Sequence, residues 1–564
     1  MPTPVGSVVS PPDRRAATRT SRPVRYGQDF WESAERRVGF VARGVANQYV
    51  VADRDQLFLL PPSMRDWLPE SHLVWFVLDV VGAIERDVFH KRYVQSGPGR
   101  PAYHPDQMLA LLIYAYSNGV RSSRQIQRLC ASDVGYRVIC ADRIPDHTTI
   151  ARFRVDHQEA FKQVFVDILR LCAAAGLASL GTVAIDGTKI EANAALSANR
   201  EADTIRAQVE RILKEAETAD EAEQTLFGAS VGNQLPAHLA RRSSRLTHLQ
   251  AAQAELQAQQ ARAEARAAKE TEAHRAAAAQ GRRLPGRRPV EDPHAELARA
   301  RIDLEVARQR AAKREQADAE GRRRPGPKPR PDAPQSRHRE LPNAQARLEA
   351  AEAAVAEAAK VTKVNVTDPQ SRVMKAPTRF IQGYNAQSAV NQHQIVLATA
   401  VTQQGNDFHQ FVPMVSGVRR NARLVGIDDP IGRALADAGY WSDANATAPG
   451  PDRLIATTKD YKQRRAAREM GLCVGPPPAD ASPLEAMEHR MRTAEGASTY
   501  ATRSQTVEPV YGTVKAVLGF RRFSRRGHAA AESEWSFVCA VHDLLKLFRH
   551  RRQARLGALV SVTV

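Results

Sequence analysis

Apolar residues show no periodicity over residues 1–45, where Pro, Ser, Thr and Arg dominate, the pattern of a disordered basic arm. Helical spacing begins near Trp67, with Ser71 placed as an N-cap before the apolar run Leu73–Val81. A Gly/Pro loop at 97–102 precedes a strongly apolar helix, Asp106–Asn118, which Gly119 ends. Ser122 or Ser123 caps a helix over Arg124–Ala131, and a short segment follows at Tyr136–Cys140. The run Asp146-His-Thr-Thr-Ile-Ala-Arg-Phe-Arg154 then opens a helix reaching about Ala175. Short helices in succession read either as a helix-turn-helix-like DNA-binding domain over 46–176 or as an ordinary bundle. In the first reading Thr148, Thr149, Arg152 and Arg154 approach DNA.

The period then changes. Gly181-Thr-Val-Ala-Ile-Asp186-Gly187 is a continuous apolar run bounded by glycines, which predicts a strand buried on both faces with Asp186 at its end. From 197 to 360 Ala, Arg, Glu and Gln take over, and Leu246, Leu249, Leu256, Leu297, Leu304 and Val306 mark long amphipathic helices. Two basic breaks at 281–289 and 321–329, repeated at an offset of forty residues, interrupt them, and their Pro and Gly residues exclude helix. This stretch is a helical insertion, because strand pattern resumes at Val361–Val366. Phe380–Val390 and Gln394–Val401 form a hairpinned pair. A helix over His409–Asn421, the strand Ala434-Leu-Ala ending in Asp437, and the strand Leu454–Thr458 come next. Helices are predicted at Arg503–Val517, carrying Glu508, and at Glu532–Arg549, leaving 551–564 as a tail.

That order predicts an α/β core of mixed five-stranded sheet flanked by helices, made from 177–196 and 361–550. With 564 residues, about three domains are expected. The net charge of +19, with Arg and Lys spread along the whole chain, points to an extended polyanion such as nucleic acid. No stretch approaches the ~20 apolar residues of a membrane span, so a cytoplasmic protein without a membrane partner is expected. The five cysteines are scattered, without zinc spacing, which suits a reducing compartment.

Carboxylates at strand ends and on a packing helix can converge, and three of them suit a hard cation such as Mg²⁺. Two such ions about 3.5–4 Å apart could activate a water or a 3′-hydroxyl and stabilise the leaving oxygen. By spacing alone Asp407, Asp428, Asp429 and Asp443 compete with Asp437 for the second position.

Several motifs then occur in one order: Val-Ala-Ile-Asp186-Gly-Thr-Lys, Thr-Asp368-Pro-Gln-Ser-Arg, Gly383-Tyr-Asn-Ala-Gln387, Ala-Asp437-Ala-Gly-Tyr440 and Thr-Val-Glu508-Pro-Val-Tyr-Gly512. With Gly99-Arg-Pro-Ala-Tyr-His104 and Pro145–Arg154, they resemble the DDE transposases of bacterial insertion sequences over residues 60–200 and 361–550. Within these the likeness is to the eleven-eighty-two group, related to the insertion-sequence-four and -five branches. The resemblance implies an RNase H-like catalytic domain whose triad is Asp186, Asp437 and Glu508, holding two Mg²⁺ or Mn²⁺ ions. It also implies a Tyr-Arg-Glu-Lys signature, here Tyr500, Arg503, Glu508 and Lys515, with Arg503, Arg521 and Arg522 as DNA-backbone clamps. Glu508 and Lys515, seven residues apart, would share one helix face.

The expected activity is metal-dependent cleavage and strand transfer on double-stranded DNA: the transposon's terminal inverted repeats, then the target. A homodimer is expected in the synaptic complex, and nucleoid association when active. A catalytically inactive DNA-binding derivative and a plain metal-dependent nuclease on the same fold are the other readings. Two departures from the family pattern stand out. Arg503 precedes Glu508 by five positions, one more than in the insertion-sequence-four form, and Asp543 occupies a position where the family typically shows Asn.

Overall fold

The chain was analysed as a computed structural model, which describes residues 63–91, 102–212, 214, 237–279, 293–320, 340–459, 465, 469 and 471–562. The expected N-terminal arm and both basic Pro/Gly breaks lie outside the described residues.

The central element is β1, Thr182–Glu191. Its residues Val183, Ala184 and Ile185 are fully buried, as a strand covered on both faces requires. It is longer than its apolar run suggests: Asp186 lies in its middle, because polar Thr188 and Lys189 continue to pair with the next strand. After β1 come β2 (Asn199–Glu201), β3 (Lys363–Asn365), β4 (Arg372–Lys375), β5 (Phe380–Asn391), β6 (Val396–Thr402), β7 (Arg433–Ala436) and β8 (Asp452–Ile455).

The main sheet has six strands where five were expected. β1 pairs antiparallel with β5 on one side, Asp186 opposite Ser388, and parallel with β7 on the other. β8 extends the sheet beyond β7 in parallel. The far edge of β5 is shared: β4 pairs with its first residues and β6 with the rest. β4 is the unexpected strand, four residues too short to show a period. The Val361–Val366 segment forms β3, which pairs with β2 in a separate two-stranded sheet rather than joining the core. The β5–β6 hairpin turns on Asn391, whose Oδ1 accepts from the amides of His393 and Ile395 while its Nδ2 donates to the carbonyls of Leu177 and Ser179.

The residues expected as a separate N-terminal domain share one hydrophobic core with the sheet. Their helices Leu73–Ala83, Pro105–Ser117 and Ala160–Ala174 meet the C-terminal helix His528–Val562. Phe76 packs on Phe548 and Phe161 on Phe537, and Tyr116 donates to Glu534 at 3.2 Å. The C-terminal helix runs through almost all of the expected tail. Two helices replace the single one expected over Asp146–Ala175, His147–Asp156 and Ala160–Ala174, because the buried His157 ends the first. One cap moves by a residue: His72, not Ser71, accepts from the Val74 amide, while Ser122 and Asp146 cap the helices that follow them.

Within the insertion, residues 202–212 are helical and pack with Leu249, Leu256 and Val364 in a small core of their own. Helices Ala237–Ala279, Pro293–Ala319 and Glu340–Val361 form the array the apolar spacing predicts, with Leu297, Ala300 and Ala351 at one contact and Leu304, Ala307 and Ala344 at another. An ion pair fastens it to the sheet: the half-buried Arg372 of β4 donates to the buried Glu255 at 2.5 Å. Among the described residues no helix is long and apolar enough to cross a membrane.

Candidate active site

The parallel pairing of β1 and β7 ends at Ile185 and Ala436, so Asp186 and Asp437 each come one residue past the last paired position. Neighbouring parallel strands in register turn equivalent side chains the same way, which puts both carboxylates at one lip of the sheet. Asp437 leaves β7 as the N-cap of a single 3₁₀ turn, Ala438–Tyr440, and accepts from the Gly439 amide at 3.0 Å.

The third acid arrives through a helix that does not run straight. Ala494–Thr506 and Glu508–Gly512 are separated at Val507. Pro509, lacking an N–H, cannot donate back into the preceding turn. The Gln505 carbonyl accepts instead from Gln394 at the β5–β6 turn, at 2.8 Å. In an unbroken helix Arg503 and Glu508 would point about 140° apart. Val507 keeps a helical backbone and its amide donates to the Arg503 carbonyl at 3.1 Å, so the segments join at a kink across which the side chains of Arg503 and Glu508 come within 3.9 Å. The continuous helix expected over Arg503–Val517 is therefore corrected, and its last turn, Thr513–Val517, is π-helical.

One guanidinium stands among the three acids. Arg503 Nη2 is 2.8 Å from Asp186 Oδ2 and 4.0 Å from Asp437 Oδ2, and Nη1 is 3.9 Å from Glu508 Oε1. The Arg503 side chain is 7% exposed, whereas that of Glu508 is 60% exposed. Arg503 is thus turned inward onto the acids, not outward as the clamp expected of it. Burial pushes the Asp186 carboxyl up to about 7, Arg503 opposing the rise and Asp437 adding to it.

Asp186 is also held from behind. Its Oδ1 accepts from the Gly187 amide at 2.7 Å, and its carbonyl accepts from the Tyr511 hydroxyl at 2.5 Å. Lys515 donates to Thr188, on the same face of β1 as Asp186. Burial draws the Lys515 ammonium below its usual value, with like charge from Arg521 adding to this and Asp186 opposing it.

A fourth carboxylate sits beside these. Asp407 accepts from Asn385 at 2.7 Å and Gln387 at 2.6 Å, with Lys189 at 3.4 Å. Tyr440 donates to Gln387 and thereby orients its amide. Gly187 makes this approach possible, since a Cβ there would collide with Gln387 and lie 2.6 Å from Asp407 Oδ1. Asp407 stood in the sequence only as a rival of Asp437. The signal for its setting is Asn385 and Gln387, two polar side chains on one face of a strand that is itself buried along almost its whole length.

The remaining expected residues divide. Arg521 is exposed near Lys515. Arg522 is bound to Glu191 at 2.5 Å, which also takes Arg379. Tyr500 packs partly buried against the main core. On helix His147–Asp156, Thr148 and Arg152 are exposed four residues apart on one face, and Thr149 is half-buried. Thr149 and Arg152 line a surface cleft of about 490 Å³ with Tyr103 and Gln127. Arg154 corrects the expectation. It is buried, about 200° round the helix from Arg152, and donates to the Arg121 carbonyl at 2.8 Å and to Tyr116 at 3.3 Å.

Residues 62–156 match a family model described as a transposase domain (DUF772), and residues 477–548 match one described as a transposase DDE domain. The second match contains Arg503, Glu508 and Lys515, while Asp186 and Asp437 lie outside both. No curated protein and no solved structure matches the chain. A DDE transposase domain implies an RNase H-like core, and the mixed sheet with flanking helices is of that kind. Both matched segments are thus similar to transposase domains, one near each end of the described residues.

Proposed function

We propose that this chain is the transposase of an insertion sequence, cutting the element's ends and joining them to target DNA through Asp186, Asp437 and Glu508. The observation that carries this is the convergence of three carboxylates, from β1, the end of β7 and a C-terminal helix, round the Arg503 guanidinium. The donors are hard oxygens throughout, which fits two Mg²⁺ or Mn²⁺ ions. Ions held there would supply activation of a water or 3′-hydroxyl and stabilisation of the leaving oxygen.

The chain's own groups do the rest. Tyr511 and the Gly187 amide fix the backbone and carboxylate of Asp186, so its position is set before DNA arrives. Lys515, anchored on Thr188 two residues from Asp186, is placed to hold a phosphate next to the reacting one. Arg521 and Tyr500 widen that contact, and Arg522 reaches DNA only by leaving Glu191. Thr148, Thr149 and Arg152 form the surface offered to the element's ends, with two copies of the chain engaging two ends.

Joining separates this reading from a plain nuclease on the same fold. A donor plasmid carrying the coding sequence with its native flanks, incubated with Mg²⁺ and a target plasmid, is expected to give covalent donor–target products. Cleavage without any joined product would favour the nuclease instead.

A further inference from the structure

Three carboxylates gathered at one lip repel one another, and two of them are held close by strand pairing that cannot relax. A positive charge between them relieves that repulsion. In this chain that charge is internal. Arg503 lies within 4.0 Å of all three acids, which come from three separate elements. Its guanidinium is nearly sealed from solvent, so it is not poised to meet a ligand outside the cluster. It extends from the last turn of Ala494–Thr506, where the helix's carbonyl ends favour a cation. Across the kink at Val507, Glu508 comes within 3.9 Å of the same guanidinium although the two residues lie five apart. Neighbouring lysines are engaged at other partners, Lys515 with Thr188 and Lys189 with Asp407.

We propose that Arg503 is a built-in counterion: it holds Asp186, Asp437 and Glu508 together in the ion-free chain and yields them when a divalent cation is bound. The inference rests on the reading that these acids hold cations, and it assigns Arg503 a role opposed to loading. A guanidinium and a divalent ion compete for the same oxygens, so Arg503 stabilises the empty site and weakens the cation's hold. It is a positioning residue that acts through the carboxylates.

The test is Mn²⁺ binding by calorimetry to the full-length protein, without DNA, alongside melting curves in EDTA and in Mn²⁺. Wild type, Arg503→Gln, Arg503→Lys and Asp186→Asn are compared. Arg503→Gln is expected to bind Mn²⁺ about tenfold more tightly, equivalent to ~1.4 kcal/mol. It should also melt lower in EDTA and gain more from Mn²⁺ than wild type does. Arg503→Lys, which keeps a charge and so protects the fold, should fall between. Unchanged or weaker Mn²⁺ affinity in either folded variant overturns the counterion. If wild type shows no Mn²⁺ binding that Asp186→Asn removes, the cation reading of the acids fails and this inference falls with it.

Discussion

At the scale of single residues, Asp186 and Gly187 divide the work of β1 between its two faces. Asp186 turns to Arg503, while the missing Cβ of Gly187 admits Asp407 and Gln387. Gly187→Ala forces those buried side chains apart, an overpacking that should cost about 1–3 kcal/mol. Chemical denaturation of the purified variant measures it, and unchanged stability would mean that the Asp407 network can shift freely. Asp186 has a pH signature. Its folded-state value is raised to about 7 from 3.8. A raised acid contributes stability that is full below the unfolded value and is lost as pH rises through the folded one. Melting in EDTA should therefore show Asp186→Asn gaining on wild type by a few degrees between pH 4 and pH 7. A constant difference across that range would mean that Asp186 is ionised throughout.

The apolar runs leading into Asp186 and Asp437 are legible locally, but spacing leaves Asp407, Asp428, Asp429 and Asp443 as rivals of Asp437, and only the family resemblance selects it. The directions of Arg503 and Arg154 were not legible as read. Each is decided by what lies opposite, three acids in one case and the Arg121 carbonyl in the other. For Arg154 the helix period held a hint, since it cannot share a face with Arg152.

At the scale of elements, the hairpin β5–β6, the strands β7 and β8 and the helix Phe411–Leu424 follow from periodicity and turn residues. The kink between Thr506 and Glu508 follows from Pro509, a signal present in the sequence that the seven-residue spacing of Glu508 and Lys515 does not carry. The C-terminal helix holds a fully buried acid, Asp543. Its Oδ1 accepts from the Val396 amide at 2.9 Å at the start of β6, and its Oδ2 is buried without a hydrogen-bond partner among the described residues. Burial pushes this carboxyl well above its usual range, so neutrality suits the site and Asn, the residue typical of the resembled family, supplies the same acceptor. By the same sign rule Asp543 loses stability for the fold as pH rises above the unfolded value near 3.8. Asp543→Asn should melt higher than wild type at pH 7–8, with the gain shrinking toward pH 4. A variant that melts lower at neutral pH would show the carboxylate to be ionised and needed.

At the scale of the whole molecule, a helical insertion splits the main sheet between β1 and its partners, yet β1 is the central strand. Folding must bring β5 and β7 back to β1 across that insertion, and loop closure grows only slowly in cost with length. The insertion's change of composition made it legible, and so did its helical spacing. Its fastening to β4 by Arg372 and Glu255 was not, because a long-range ion pair leaves no local pattern. The same holds for the shared core of the N-terminal helices and the sheet, built from contacts such as Phe161 with Phe537.

The central claim, that Asp186, Asp437 and Glu508 act as one centre on DNA, is tested most directly by strand cleavage. A plasmid carrying the coding sequence with its native flanks is incubated with Mg²⁺ and wild type, Asp186→Asn, Asp437→Asn or Glu508→Gln. Broken strands are mapped while DNA retention is followed by gel shift. Each substitution should abolish cleavage at the element's ends and leave DNA retention largely intact. A variant that cuts at a rate near wild type would contradict the account for that residue.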